Sequence, residues 1–335
     1  MVQVRVAGIS AYFPPDERTS HQVEELIRTH SPGLQVPHGI IESVTGIRTR
    51  RVAAEDVNSS DLAAEAGKKV LEKTNTSPDQ VDLLIFASVC QDLAEPATAN
   101  IVQEKVGTSC PVFDLKNACN SFLNALQVAE ALIQSGAYRT VLVTVGETIT
   151  RSIRWSVPDR QSFKRSFLGY TLGDAGAAAL VVASADETGI FHRSFRTVSH
   201  YWDTLTVLGG GSMHPRGDEY TYFEGEGTQL KEAFSEIGPG LIFDALAVTE
   251  TSFMDYQRVF VHQVSMPILD SFLEATNLPR EKVFVTVQQF GNLGSASMPV
   301  GFALAEEQGE IGPGDRVMWI GLASGASVGV VLMQL

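Results

Sequence analysis

The chain has 335 residues, 44% hydrophobic and 19% charged, the balance of a globular enzyme rather than of a disordered or fibrous chain, and it is long enough for two lobes. A formal net charge of −14 excludes a broad basic face for bare nucleic acid, because such binding works by neutralising phosphates. Three cysteines (Cys90, Cys110 and Cys119) do not make a disulfide framework or a zinc site, and no apolar run is long enough to span a membrane, so a metal-free cytoplasmic protein is expected.

Taken in chain order, residues 1–9 alternate as a strand and lack the apolar core of a secretory leader. Residues 60–74 read as a helix with Ser60 as N-cap, 81–89 as a buried strand, 97–106 as a helix with Pro96 at its first position, and 121–135 as a helix closed by Gly136. Two further buried strands follow at 140–145 and 177–182. The second half repeats this: 256–264 parallels 81–89, 315–321 parallels 139–145, and a helix is expected around 268–276. Leu84 to Leu142 is 58 positions and Val259 to Met318 is 59, so the strand spacing is nearly kept. Both halves end in small residues running into a hydrophobic strand, at 173–181 and 324–332, where backbones must approach closely. The pattern predicts two α/β halves, 1–182 and 183–335, each a sheet covered by helices, with a loop-rich insertion over about 192–227. Gly209-Gly210-Gly211 in that insertion lacks the strand, helix and Lys-Ser/Thr of a phosphate loop and reads as a turn.

Cys119 stands between a strand-like stretch and a helix. Strand–turn–helix exposes a nucleophile above a sheet, and a helix N-terminus favours thiolate, so Cys119 is the candidate nucleophile while Cys90 and Cys110 read as small core residues. His262 ends a buried strand, and Asn292 lies in Gly291-Asn292-Leu293-Gly294; each alone is an ordinary strand-end or turn residue. Together with Cys119 they supply a thiol, an imidazole and an amide, the groups needed to carry an acyl chain on sulfur and to hold a carbonyl oxygen by paired donors. The other six histidines have no such setting.

With Thr45-Gly46-Ile47-Arg48, Ala118-Cys119, Gly173-Asp174-Ala175-Gly176, His262-Gln263, Gly291-Asn292 and the small-residue C-terminal strand pair, the chain resembles the thiolase superfamily, and within it the β-ketoacyl-acyl-carrier-protein synthase III group, over nearly its whole length. The resemblance implies a five-layered αβαβα sandwich of two duplicated halves and a homodimer. It also implies that Cys119 takes an acyl group from a coenzyme A thioester, with no permanently bound cofactor. His262 and Asn292 would hold the carbonyl of a second, malonyl-type thioester, whose decarboxylation yields the enolate for a Claisen condensation. The acyl oxyanion would rest on the backbone N–H groups of Cys119 and Ser324, the latter standing where the family usually has glycine.

Several positions depart from the family pattern. Val44 and Ile40 replace an Arg and a Trp that help to hold the coenzyme's adenine end, so no coenzyme-binding residue is assigned. Val264-Ser265-Met266-Pro267 lacks the Arg used for docking acyl carrier protein, which leaves open whether carrier protein or coenzyme A brings the second unit. Glu95 replaces a usual Phe before the proline. A glutamate there resembles the olefin-biosynthesis enzymes that join two acyl-CoA molecules head to head, with the partner chain's carboxylate as general base. Against that stands a solvated glutamate at a helix start, where an acid is favoured electrostatically. Transfer of the acyl group to an alcohol or amine is a third reading, disfavoured by the intact His/Asn pair.

Overall fold

The computed structural model describes residues 2–185, 188–225 and 227–335. Its strands are β1 (Gln3–Tyr12), β2 (Asp16–Thr19), β3 (Thr49–Val52), β4 (Leu83–Ala87), β5 (Val112–Leu115), β6 (Thr140–Glu147), β7 (Ala175–Ser184), β8 (Gly189–Thr197), β9 (Leu205–Val207), β10 (Phe223–Gly225), β11 (Arg258–Val261), β12 (Arg316–Ala323) and β13 (Ser327–Gln334). One sheet runs β1-β7-β6-β4-β5, the other β11-β12-β13-β8; β2 pairs with β3 and β9 with β10 as separate ribbons.

The two large sheets are copies of one topology. In the first, β4 and β6 are parallel, β6 and β7 antiparallel, and β7 and β1 antiparallel. In the second, β11 and β12 are parallel, β12 and β13 antiparallel, and β13 and β8 antiparallel. The residues compared in the sequence repeat are register partners: Leu84 lies opposite Leu142, and Val259 opposite Met318. Even the outer edge is echoed, since β5 pairs parallel with β4 and a single parallel bridge joins Val259 to Val283.

Alternation along the strands builds the layers. On β6, Val141 and Val143 face inward while Leu142 faces outward. The outward set packs against the helices Ser59–Lys73 and Thr98–Val106 through Ala66, Val70 and Val102. In the second half Val261, Ile320 and Val330 pack against the helices Gly240–Val248 and Met266–Thr276 through Ile242 and Leu269. Between the sheets lie the helices Ser121–Gln134 and Ser297–Glu307, and one continuous core joins Phe122, Leu126 and Val300 to Val143 and Ala177 on one side and to Phe260, Trp319 and Val331 on the other. The result is the five-layered αβαβα sandwich.

Three local expectations are corrected. The helix Ser59–Lys73 is capped by Asn58, not Ser60, because Asp61 at the third helical position completes the reciprocal capping box with Asn58. Ser60 is instead buried and accepts a hydrogen bond from Lys105 Nζ at 2.7 Å. Pro96 lies outside the next helix, which begins at Thr98; the carboxylate of Asp114 on β5 accepts the N–H groups of Thr98 and Ala99, each at 2.8 Å, and so serves as its cap. The segment read as loop-rich from about 192 begins as strand, because β8 runs on through Thr197 as the partner of β13.

Close approach explains the glycines opposite each other on β6 and β7. Gly146 pairs with Gly176, and a Cβ on Gly146 would stand 1.9 Å from the Ser59 carbonyl oxygen, one on Gly176 2.1 Å from that of Leu62. The backbone of the helix Ser59–Lys73 therefore rests directly on the sheet. Gly146→Ala and Gly176→Ala are each expected to cost about 1–3 kcal/mol or more, seen as a drop of several degrees in thermal melting. Gly33→Ala, with no atom within 4 Å, should melt like the parent.

Candidate active site

Cys119 sits at a sharp elbow between β5 and the helix Ser121–Gln134. Ala118 is held in the left-handed region at φ 47°, a conformation that costs about 1–3 kcal/mol for a residue other than glycine. Ser121 clamps the turn: its Oγ accepts the N–H of Asn117 at 2.8 Å and donates to the Ala118 carbonyl at 2.7 Å. Asn120, next to the thiol, spends its side chain across the seam instead of capping the helix. Its Nδ2 donates to the Oγ and carbonyl of Ser327, at 2.9 and 3.2 Å, and so ties the elbow to β13.

His262 follows the last residue of β11, and its N–H continues the ladder to the Ile320 carbonyl at 2.9 Å. The ring is buried, and burial pulls its pKa down to about 4, so it is a neutral imidazole at pH 7. Nδ1 has no hydrogen-bond partner among the described residues. Gln263 anchors this corner: Oε1 accepts the N–H groups of Thr286 and Val287, at 3.0 and 3.1 Å, while Nε2 donates to the Phe284 carbonyl at 2.8 Å.

Asn292 is fixed on both sides. Its N–H donates to the Thr171 carbonyl at 2.8 Å, its carbonyl accepts from Gly173 at 2.9 Å, and its Oδ1 accepts the N–H of Gly294 at 3.0 Å. With Oδ1 engaged, Nδ2 is left to donate. Cys119, His262, Asn292 and Ser324 all line one cavity of ≈ 430 Å³. Its remaining wall is largely apolar, with Leu205, Val207 and Phe223 from β9 and β10, Leu230 and Phe234 from the helix Gly227–Ile237, and Ile268. The β9–β10 ribbon of the inserted segment thus closes the site.

Burial and an added negative charge from Glu147 push the Cys119 thiol up to about 12, while the backbone N–H groups of Cys119 and Ser324 donate to the sulfur and oppose the rise. The expected lowering by the helix start is not seen: burial and the Glu147 charge raise the group instead, and the resting group is a thiol. The same two N–H groups can receive an oxyanion on a carbon bound to that sulfur. Glu95 is exposed and lies outside the lining of its own chain's cavity.

Two features escaped the sequence reading. Cys90, partly buried against the core as expected, is also a wall residue of this cavity, and its thiol hydrogen-bonds to Glu147. Glu147 is wholly buried at the end of β6, where it accepts from Ser88 Oγ, Val89 N–H and Ser295 N–H at 3.0 Å each and from Cys90 N–H at 3.3 Å. A carboxylate closing an otherwise apolar strand was the available signal. Because an unfolded His262 takes a proton that the buried ring refuses, the parent should gain stability relative to His262→Asn as pH rises from about 4 to 6.5. The gain is up to about 3 kcal/mol, read from denaturant midpoints across that range.

The chain matches two family models: 3-oxoacyl-[acyl-carrier-protein] synthase III over residues 113–199, and the C-terminal model of the same enzyme over residues 246–335. It is 30% identical to β-ketoacyl-[acyl-carrier-protein] synthase III of Neisseria meningitidis over 337 residues, covering 100% of both chains, and 29% identical to synthase III 1 of Bacillus cereus over 336 residues, covering 99% of both. Among solved structures, it superposes on Xanthomonas campestris OleA, in a cysteine-to-serine variant with bound lauric acid and lauroyl-CoA, with a TM-score of 0.89, 26% identity and 99% of each chain covered. Cerulenin-bound OleA gives a TM-score of 0.88 at the same identity, covering 100% of this chain and 98% of the other. The chain belongs to the β-ketoacyl-[acyl-carrier-protein] synthase III family of the thiolase superfamily, and is a condensing acyltransferase of that type.

Proposed function

We propose that the protein joins two acyl-CoA molecules head to head, without decarboxylation. Cys119 sulfur attacks the first thioester carbonyl, the bond to coenzyme A breaks, and coenzyme A leaves with the proton. His262 and Asn292 donate to the carbonyl oxygen of the second thioester, which makes its α-proton acidic enough for Glu95 of the partner subunit to remove. The enolate carbon attacks the Cys119 thioester, whose oxygen rests on the Cys119 and Ser324 N–H groups. Collapse expels the Cys119 sulfur and releases a β-ketoacyl-CoA carrying an α-alkyl branch. Coenzyme A thioesters are substrates, and no resident cofactor is used.

The placement of Glu95 carries this reading. It lies in the segment that leaves the cavity wall at Gln91 and enters the helix Thr98–Val106, whose first N–H groups are held by Asp114 of β5. Strand β5 is an open edge of its sheet, and the homodimer proposed across that edge is the arrangement that would bring Glu95 to the partner's cavity. The likeness to OleA, solved with bound lauric acid and lauroyl-CoA, supports long-chain acyl-CoA as the substrate class. A second reading, decarboxylative condensation with a malonyl unit on coenzyme A or acyl carrier protein, is favoured by the synthase III relatives matched over the whole length.

Loading the purified protein with an acyl-CoA should add one acyl mass to the peptide holding Cys119. Further acyl-CoA alone should then give condensed product without carbon dioxide. Glu95→Gln should keep the acylation and lose about 10²–10⁴-fold in condensation. Strict dependence on a malonyl thioester moves the assignment to the second reading, and turnover by Cys119→Ala ends the covalent route altogether.

A further inference from the structure

We propose that Glu147 is a positioning residue that locks the Cys119 elbow to the Asn292 loop and, through its own charge, sets how the reactivity of Cys119 depends on pH. The proposal rests on Cys119 being the acyl acceptor. Glu147 accepts hydrogen bonds from the end of β4 (Ser88, Val89 and Cys90) and from Ser295. Ser295 in turn uses its Oγ to accept the N–H of Phe122, in the first turn of the Cys119 helix, at 2.9 Å, and to donate to the Ala87 carbonyl at 3.2 Å. Gly294, whose N–H orients the Asn292 amide, lies so close that a Cβ there would be 3.2 Å from Glu147 Oε1. One carboxylate thus spans the loops of the thiol and of the amide.

Among the described residues, no Lys, Arg or His stands within ion-pairing distance of Glu147. Its own titration is raised to about 7 by burial, against which the bonds from Val89, Ser88, Ser295 and Cys90 work. The groups packed near it are Cys90, the Cys119 thiol and, just ahead of β7, Asp174; Ser59 from the helix Ser59–Lys73 and Gly294 and Ser295 from the loop are uncharged. Asp174 is raised only to about 6 and bonds to Thr150 and Ala53, so above pH 7 its charge is constant.

With Cys90 neutral and Asp174 ionised above pH 7, Glu147 and Cys119 are the pair that titrates against each other, and this dictates the form of the pH dependence. Below the Glu147 titration, thiolate forms with Glu147 protonated and rises tenfold per pH unit. Just above it, over as many pH units as the repulsion between the two charges amounts to, Glu147 is ionised and a thiolate forms mainly when Glu147 takes up a proton. The pair's total protonation is then unchanged, so the thiolate fraction is flat with pH. At still higher pH both groups are ionised and the rise resumes.

Alkylation of the holoprotein by iodoacetamide, followed at the Cys119 peptide by mass spectrometry, reads this directly without turnover. The expected profile for the parent is a tenfold rise per pH unit up to about 7, a plateau, then a second rise. Glu147→Gln should give one continuous rise, with faster alkylation than the parent at pH 8–9. A parent profile that rises throughout, or a plateau that persists in Glu147→Gln, overturns the proposal. A purely structural role would lower the rate at every pH and keep the plateau. Should Glu147→Gln fail to fold, Glu147→Asp decides: a plateau displaced in pH supports the proposal, and an unchanged profile overturns it. Absence of acylation at a Cys119 that still shows the plateau would instead count against the condensing mechanism.

Discussion

The helix Ser121–Gln134 is buried from both sides, and the site depends on that sandwiching. Its residues Phe122 and Leu126 belong to the core shared by both sheets, so it can neither slide nor tilt without opening cavities on two faces at once. Its N-terminus is then pinned by residues of the opposite half, Ser327 through Asn120 and Ser295 through the Phe122 N–H. Gly321 on β12 admits the Asn120 amide so closely that a Cβ there would lie 1.9 Å from its oxygen. The thiol from the first half is in this way set against the imidazole and amide from the second by hydrogen bonds, with no dependence on loop flexibility.

The second consequence of burial is electrostatic. Desolvation is the largest influence on Cys119, His262 and Glu147 alike, and it moves each toward its neutral form. Cys119, His262 and Asn292 themselves carry no fixed charge, so at the reacting atoms anions are stabilised by dipoles, with Lys116 and Arg151 further along the wall. Backbone N–H groups at Cys119 and Ser324, an amide fixed by Gly294, and a neutral imidazole are such dipoles, and they act more strongly in a dry cavity than in water. The His262 ring, just past β11, stays neutral because burial disfavours its charged form, so it serves as a donor without adding a charge.

Much of the architecture was legible in the chain because both faces of these sheets are covered. Strands buried on both sides read as continuous apolar runs, and the spacing from Leu84 to Leu142 and from Val259 to Met318 corresponds to actual register partners. Cys119, His262 and Asn292 were legible as a set, and the structure brings them to one cavity. Glu147 was not, because its partners are donors from 88–90 and 295 that no sequence interval connects. Nor was the direction of the Cys119 shift, since the helix start is local and visible while the burial and the Glu147 charge that raise the thiol come from the whole fold. The cap at Asn58 was missed for a smaller reason: Ser60 and Asn58 are both good caps by type, and the reciprocal bond with Asp61 chooses between them.

The duplication accounts for how few residues the site needs. In parallel α/β sheets, ligands gather at the carboxyl ends of the strands. Here the parallel strands of two mixed sheets, β4 with β6 and β11 with β12, end at the same cavity. Past β4 come Val89, Cys90 and Gln91, and past β6 come Thr148 and Ile149; past β11 come His262 and Val264, and at the end of β12 stand Ala323 and Ser324. By register, Glu147 at the end of β6 occupies the place that Ala323 holds at the end of β12, just before Ser324. Equivalent positions have thus taken opposite chemistry. The first half presents the acid that braces the loops, and the second presents the imidazole and a backbone donor. A single fold used twice supplies both the frame that holds the thiol and the groups aimed at it, and it does so because the two copies differ where their strand ends meet.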